Sequence, residues 1–458
     1  MAMTDHSTIR YRAGVLATGL ACCYFSLFTV TGSLSAQESE SDQEPVADAG
    51  QAELSAARYI EAIFAREQEY GAFDPELGEL LLGLGVLYKN RGDYAEAAEA
   101  LDRALHIKKV NEGLESMTQI PILNALIETN TAAQNWDELD VNYQTLLWIH
   151  QRRLESDDPS ILPVIDLVGR WKLAAFNNRL LDERPFDTLQ DLSELYKTTI
   201  GTLEKIYGET DQRLLIPLKG LAISQYEYVN YMMTLPVDEF GSATERPNIS
   251  HRICSNMVVN GVLQYVCRDE LVPNPRYLAG KQDMKNNLVA TNLRVVRDTL
   301  VRIKEIYETN KPPPMEDYVL SLLDLGDWYF LNAQRGNALN YYGQAHQVLL
   351  DNQADEITMQ KFFGKPVLIP ALGRNTNDES REQEKLRSGL YVRLAFEVYM
   401  DGNARQVEVI EESDPKNYRA RKNAREYIKN SLFRPQLVDG KPVTTAHTEL
   451  VVSGNILK

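Results

Sequence analysis

Leu81-Leu82-Gly83-Leu84-Gly85-Val86-Leu87-Tyr88, then Asn90-Arg91-Gly92-Asp93, then the stretch from Tyr94 to Leu105, is the part of the sequence whose reading decides the fold. Leu81, Leu84, Gly85 and Tyr88 recur at helix spacing, and Tyr94, Ala97, Leu101 and Ala104 do the same on a second helix. Asn90-Arg91-Gly92-Asp93 turns the chain between them. Gly85 and Ala97 are small enough to let two helices approach, while Tyr88 and Leu101 fill the volume beside them. A second copy lies late in the chain: Leu322, Leu325, Gly326 and Tyr329, followed by Ala338, Tyr342 and Ala345.

Between the two copies the pattern persists in weaker form. The Leu84-Gly85 pair recurs as Leu126-Ile127 and Val168-Gly169, two steps of 42 residues. Pro121, Pro163 and Pro217 each stand five residues before Leu126, Val168 and Ala222, near the start of a helical pattern where proline costs least. Tyr226 then falls where Tyr88 does. These units resemble the tetratricopeptide repeat, and the 42-residue step resembles its longer-helix form in kinesin-light-chain-like arrays. The resemblance implies a mainly α fold, a helical solenoid over 51–234 and 288–360 whose concave groove takes protein partners.

The region 235–287 interrupts the repeats and is rich in Pro, Gly, Asn and Asp. At its centre Asn260-Gly261 is flanked by apolar, β-prone residues, the strongest short signal for a hairpin. With a two-residue loop there, Cys254 faces Cys267 in the sixth pair outward, of the close, non-hydrogen-bonded kind. That distance suits a disulfide; two buried free thiols are the alternative, and zinc would need more ligands than these two cysteines and His251.

After a linker at 361–388 the periodicity changes. Val392, Leu394, Phe396 and Val398 alternate with Tyr391, Arg393, Ala395, Glu397 and Tyr399, which predicts a half-buried strand. Asp401-Gly402 is a turn, Val407 to Ile410 a second strand, Lys416 to Ser431 a helix, and Thr444 to Val452 a last strand after the Asp439-Gly440 turn. This α+β order (β-β-α-β) over 389–458 resembles the C-terminal domain of TonB-family proteins. The matches are Gly389, the Asp401-Gly402 turn, Val407 to Ser413, Ala424, Phe433-Arg434-Pro435 and Asp439-Gly440-Lys441-Pro442-Val443.

The resemblance implies docking to an outer-membrane receptor, with a partner segment added to an exposed strand edge. It places that edge at Thr444, Thr445, Ala446, His447 and Thr448, continuing through Glu449, Leu450, Val451 and Val452. The same strand also reads as the closed edge of a structural module. The chain departs from the family: its N-terminal apolar run has no histidine, no proline-rich spacer is present, and no Tyr-Pro precedes Gly389.

Arg10 and Arg12 precede an uncharged run from Ala13 to Ala36, and an acidic linker follows at 37–50. That is export-signal architecture: cleaved near Leu34-Ser35-Ala36, kept as an anchor, or lipidated at Cys22 or Cys23. The expected place is the periplasm of a Gram-negative bacterium, with membrane contact only through residues 1–36. A formal charge of −17 without a basic stripe argues against nucleic acid as partner. No phosphate loop, metalloprotease pattern or nucleophile elbow occurs, and His106, His150, His251, His346 and His447 are scattered. Neither an enzyme nor a cofactor protein is expected.

Overall fold

A computed structural model describes residues 46–154, 158–181, 185–240, 246–310, 313–369, 390–453 and 457. The export segment, the linker up to residue 45, Gly389 and residues 370–388 of the expected second linker lie outside them. The chain divides into two units, Ala21–Gly220 and Leu221–Lys458 with Met1–Leu20.

Among the described residues the first unit holds helices and no strand: α1 Val46–Tyr70, α2 Pro75–Arg91, α3 Tyr94–Glu112, α4 Ile120–Ala133, α5 Trp136–Arg153, α6 Leu162–Asn178, α7 Pro185–Tyr207 and the start of α8 Leu215–Thr234. From α1 to α7 each helix packs on its neighbour in the chain, as stacked repeats require. Since α1 begins at Val46, the acidic linker read as 37–50 is helical over its last five residues, where Ala47 and Ala49 favour helix over coil.

The entries to α4, α6 and α8 share one device. Ser116, Asp158 and Asp211 each accept a hydrogen bond from the backbone N–H two residues on, closing a short 3-10 turn. Pro121, Pro163 and Pro217 follow within the first turn of the helix, where their missing N–H is not needed. Leu84, Leu101 and Ala104 join Leu123, Tyr143 and Trp171 in one buried core. Ala97 is fully buried as well, whereas Tyr88 is half-buried at the rim of that core.

In the second unit, β1 Asn248–Val259 and β2 Val262–Pro273 form the hairpin. Asn260 and Gly261 have φ of 50° and 80°, the sign a type I′ loop demands at both positions. Cys254 lies opposite Cys267 with Cα atoms 4.0 Å apart, and their sulfurs are bonded. The insertion is shorter than 235–287, because α9 starts at Pro275 and runs unbroken to Thr309. Asn274 caps it by accepting from the Arg276 N–H, and Pro275 occupies the first turn, so the helix signal lay inside the polar stretch.

The second clear repeat is α10 Met315–Leu331 with α11 Arg335–Asp351, followed by α12 Glu356–Phe363 and β3 Val367–Ile369. The linker expected at 361–388 therefore starts inside structure: Phe362, Phe363, Val367 and Ile369 are buried. Leu325, Ala338, Tyr342 and Ala345 are fully buried in the repeat, while Tyr329 is half-buried and stacks on Tyr341.

The remaining elements are β4 Tyr391–Val398, β5 Ala404–Glu412, α13 Tyr418–Asn430, β6 Leu432–Arg434, β7 Leu437–Val438, β8 Lys441–Pro442 and β9 Thr445–Ser453. The main sheet runs β5-β4-β9, with both pairings antiparallel. Val392, Leu394, Phe396 and Val398 face Ala420, Ala424 and Ile428 of α13 in one core. The β-β-α-β order is thus present, with three short strands between α13 and β9. Asp439 and Gly440 again take positive φ, in the turn between β7 and β8.

Candidate functional site

The small sheet has two terminal strands, and they differ. β5 breaks register twice against β4, and it carries Arg405, Glu408, Glu411 and Glu412. Bulges and charges of this kind deter another strand from pairing. β9 pairs with β4 without a break from Tyr391↔Ser453 to Phe396↔Thr448 and shifts register once beyond it, before Val398↔Thr445.

The direction of the backbone groups of β9 follows from one bond. The Ser413 N–H donates to the Tyr391 carbonyl at 3.0 Å, so the polar groups of Tyr391 point toward β5. Alternation turns those of Val392, Leu394 and Phe396 toward β9, which makes their partners Val452, Leu450 and Thr448 the hydrogen-bonded ones. His447 and Glu449 then direct N–H and C=O away from the sheet. Both side chains are exposed, and His447 Nε2 lies 2.9 Å from Glu449 Oε1. The His447 bond, opposed by partial burial and assisted by Arg393, holds the Glu449 carboxyl below its usual range.

The accessible edge is consequently narrower than Thr444 to Val452. Thr444 precedes the strand, and Val451 and Val452 are 1% and 2% exposed. Thr448 shares the inner face with Phe396, and its Oγ1 is buried with no hydrogen-bond partner among the described residues. What remains open is Ala446, His447 and Glu449.

A second feature was not legible in the sequence. Arg434 of β6, the arginine of Phe433-Arg434-Pro435, donates to both carboxylate oxygens of Asp327 in α10, at 2.8 and 2.7 Å. The Tyr342 hydroxyl of α11 donates to the same carboxylate at 2.8 Å. Arg434 is 4% exposed and Asp327 1%. Burial opposes the charge of Arg434, but Asp327 outweighs it and raises the guanidinium above its ordinary range. Burial, and then Asp327, push the Tyr342 phenol well up.

Around this pair β3 pairs with β6, and Ile369 and Leu437 share a core with Leu322, Phe330 and Tyr342. A Cβ on Gly402, whose φ is +76°, would stand 2.5 Å from Phe330 Cε1. The small domain is built onto the last repeat rather than tethered to it. The only hint in the sequence was Asp327, an acidic residue beside Gly326 on the packing side of its helix.

The hairpin carries a third exposed surface. Val258, Leu263, Tyr265 and Leu271 lie on one face of it and are 68–74% exposed, together with the Arg252–Asp269 ion pair. Among the described residues no group of three or more His, Cys, Asp or Glu side chains could hold a metal ion, and no helix is long and apolar enough to cross a membrane.

No family model matches the chain, and no curated protein matches it. Among solved structures it is similar to a Podosopora anserina protein described as "putative kinesin light chain nearly identical TPR-like repeats". Identity is 14% over 61% of this chain and 98% of that one, with a TM-score of 0.35. BtubC (BKLC) from P. vanneervenii matches at 12% identity over 67% of this chain and 93% of that one, with a TM-score of 0.34. The tetratricopeptide-like assignment rests on the helix contacts at Gly85 and Gly326, where an added Cβ would meet Leu101 at 2.5 Å and Tyr342 at 2.3 Å.

Proposed function

We propose that this chain is a non-enzymatic, periplasmic protein-binding scaffold whose small C-terminal domain captures an extended segment of a partner by adding it as a strand beside β9. The observation that carries this reading is the contrast between the two terminal strands: β5 is charged and shifts register twice, whereas β9 holds one register from Thr448 to Ser453 and turns His447 and Glu449 outward. The resemblance to TonB-family domains supports an outer-membrane receptor as the partner. The repeats supply a second surface for protein partners, as stacked helix pairs commonly do.

The Arg434–Asp327 pair favours a docking or envelope-assembly role over energy transduction. A domain fixed to its last repeat cannot reach away from that repeat on its own. Affinity capture from solubilised cell envelopes, comparing wild type with Glu449→Pro, tests the proposal. Loss of a captured outer-membrane protein from the variant is the expected result. Unchanged capture would assign binding to the repeats.

A further inference from the structure

In a chain of formal charge −17, helix α13 reverses the sign locally. Its inner side is Ala420, Ala424 and Ile428, all buried at 1% or less. Tyr418, Lys422, Arg425 and Lys429 follow at steps of four, three and four residues, which on an α-helix is a single row on the opposite side. All four are exposed, Tyr418 to 72%. Arg419 flanks the row, and Glu426, 3.8 Å from Lys422, is the one acidic residue in the helix. Among the described residues no carboxylate pairs with Arg419, Arg425 or Lys429. Arg421 is turned away, toward Glu412 and the Pro415 carbonyl.

We infer that this row is a docking surface for a bilayer carrying anionic phospholipid headgroups. The row is convex and spans roughly 16 Å along the helix. Its cations are therefore spread along a line rather than gathered around a groove that would grip a peptide. Tyr418 lies at one end of the row, and an exposed tyrosine suits the boundary between headgroups and water. The negative charge elsewhere does not prevent contact, because at physiological salt only charges within about 8 Å of the headgroups act on them. Each basic residue near an anionic membrane strengthens binding several-fold.

The test is flotation of the full chain with vesicles of phosphatidylcholine alone, or with about one-third phosphatidylglycerol, at about 0.15 M salt. The variant K422E/R425E/K429E is compared with R58E/K197E/K205E, which makes the same charge change at exposed positions of the repeats. The N-terminal apolar run is common to all three proteins, so it cancels in the comparison. Wild type and the repeat variant should bind the anionic vesicles better than neutral ones, and the α13 variant should lose that preference by on the order of 100-fold. Retention by the α13 variant, equal losses in both variants, or no preference of the wild type for anionic vesicles would each overturn the inference. So would tighter binding of wild type to soluble poly-glutamate than to the vesicles, which would assign the row to an acidic peptide. Circular dichroism confirms that each variant is folded before flotation is scored.

Discussion

At Gly85 and Gly326 the repeats depend on a missing atom. Placing a leucine at Gly85 forces its Cβ against Leu101, 2.5 Å away, and no rotamer relieves a clash at Cβ. Gly85→Leu should therefore lower stability by about 1–3 kcal/mol, as should Ala97→Leu, whereas exposed Glu96→Leu and Glu99→Leu should cost little. Equal melting temperatures in the two sets would reject the packing assigned here. These positions were legible because a glycine or alanine within a leucine-rich helix has few other reasons to be there. Arg434 and Asp327 were not, since nothing local marks which of many charges will meet a partner 107 residues away. Removing one of them leaves the other buried and unpaired, so Asp327→Asn should cost about 3–5 kcal/mol. The pair Asp327→Leu with Arg434→Met should recover part of that in denaturant melts. A double variant as unstable as the single one would mean the site needs its ionic geometry.

Among elements, the hairpin was readable to the residue, because Asn260-Gly261 fixes the loop and the loop fixes the register. Its disulfide closes a short, local loop. Reduction should loosen β1 and β2 while the melting of the helical repeats is unchanged; a parallel fall in both would tie the hairpin to the repeat core. Strand β9 was readable as a strand and as a terminal one, but not in its direction. Hydrophobic alternation reports side chains, whereas strand addition depends on which N–H groups point outward, and that followed only from the bond between Ser413 and Tyr391. The backbone of Thr448 serves β4. Thr448→Pro should unfold the small sheet, while Glu449→Pro should leave its circular dichroism intact. The opposite outcome would reverse the assigned direction.

For the whole molecule, helix and sheet boundaries were read from periodicity, and the errors fell where polar residues cap helices. The stretch 235–287 looked like an insertion up to its end, although α9 begins at Pro275. The second linker was overextended because β3 is too short to show alternation. Buried tyrosines also link the two units to one solution property. Burial raises Tyr143, Tyr196 and Tyr226 in the repeats, and pushes Tyr427 up to about 12; burial and then Glu308 push Tyr318 up to about 12. A tyrosine with a raised folded pKa favours the folded state fully below pH 10 and ceases to do so as pH rises through the folded value. Stability should fall from about pH 10 to 12, with part of the tyrosinate absorbance appearing only as circular dichroism is lost. Complete ionisation in the folded protein would contradict these burials.

The central claim concerns backbone groups, and amide hydrogen exchange of β9, resolved to single residues with and without captured partner, tests it most directly. In the free protein Thr448 and Leu450 should exchange slowly and His447 and Glu449 fast, with His447 and Glu449 becoming protected on binding. Slow exchange of Glu449 in the free protein, or fast exchange of both His447 and Glu449 in the complex, would contradict capture at this edge.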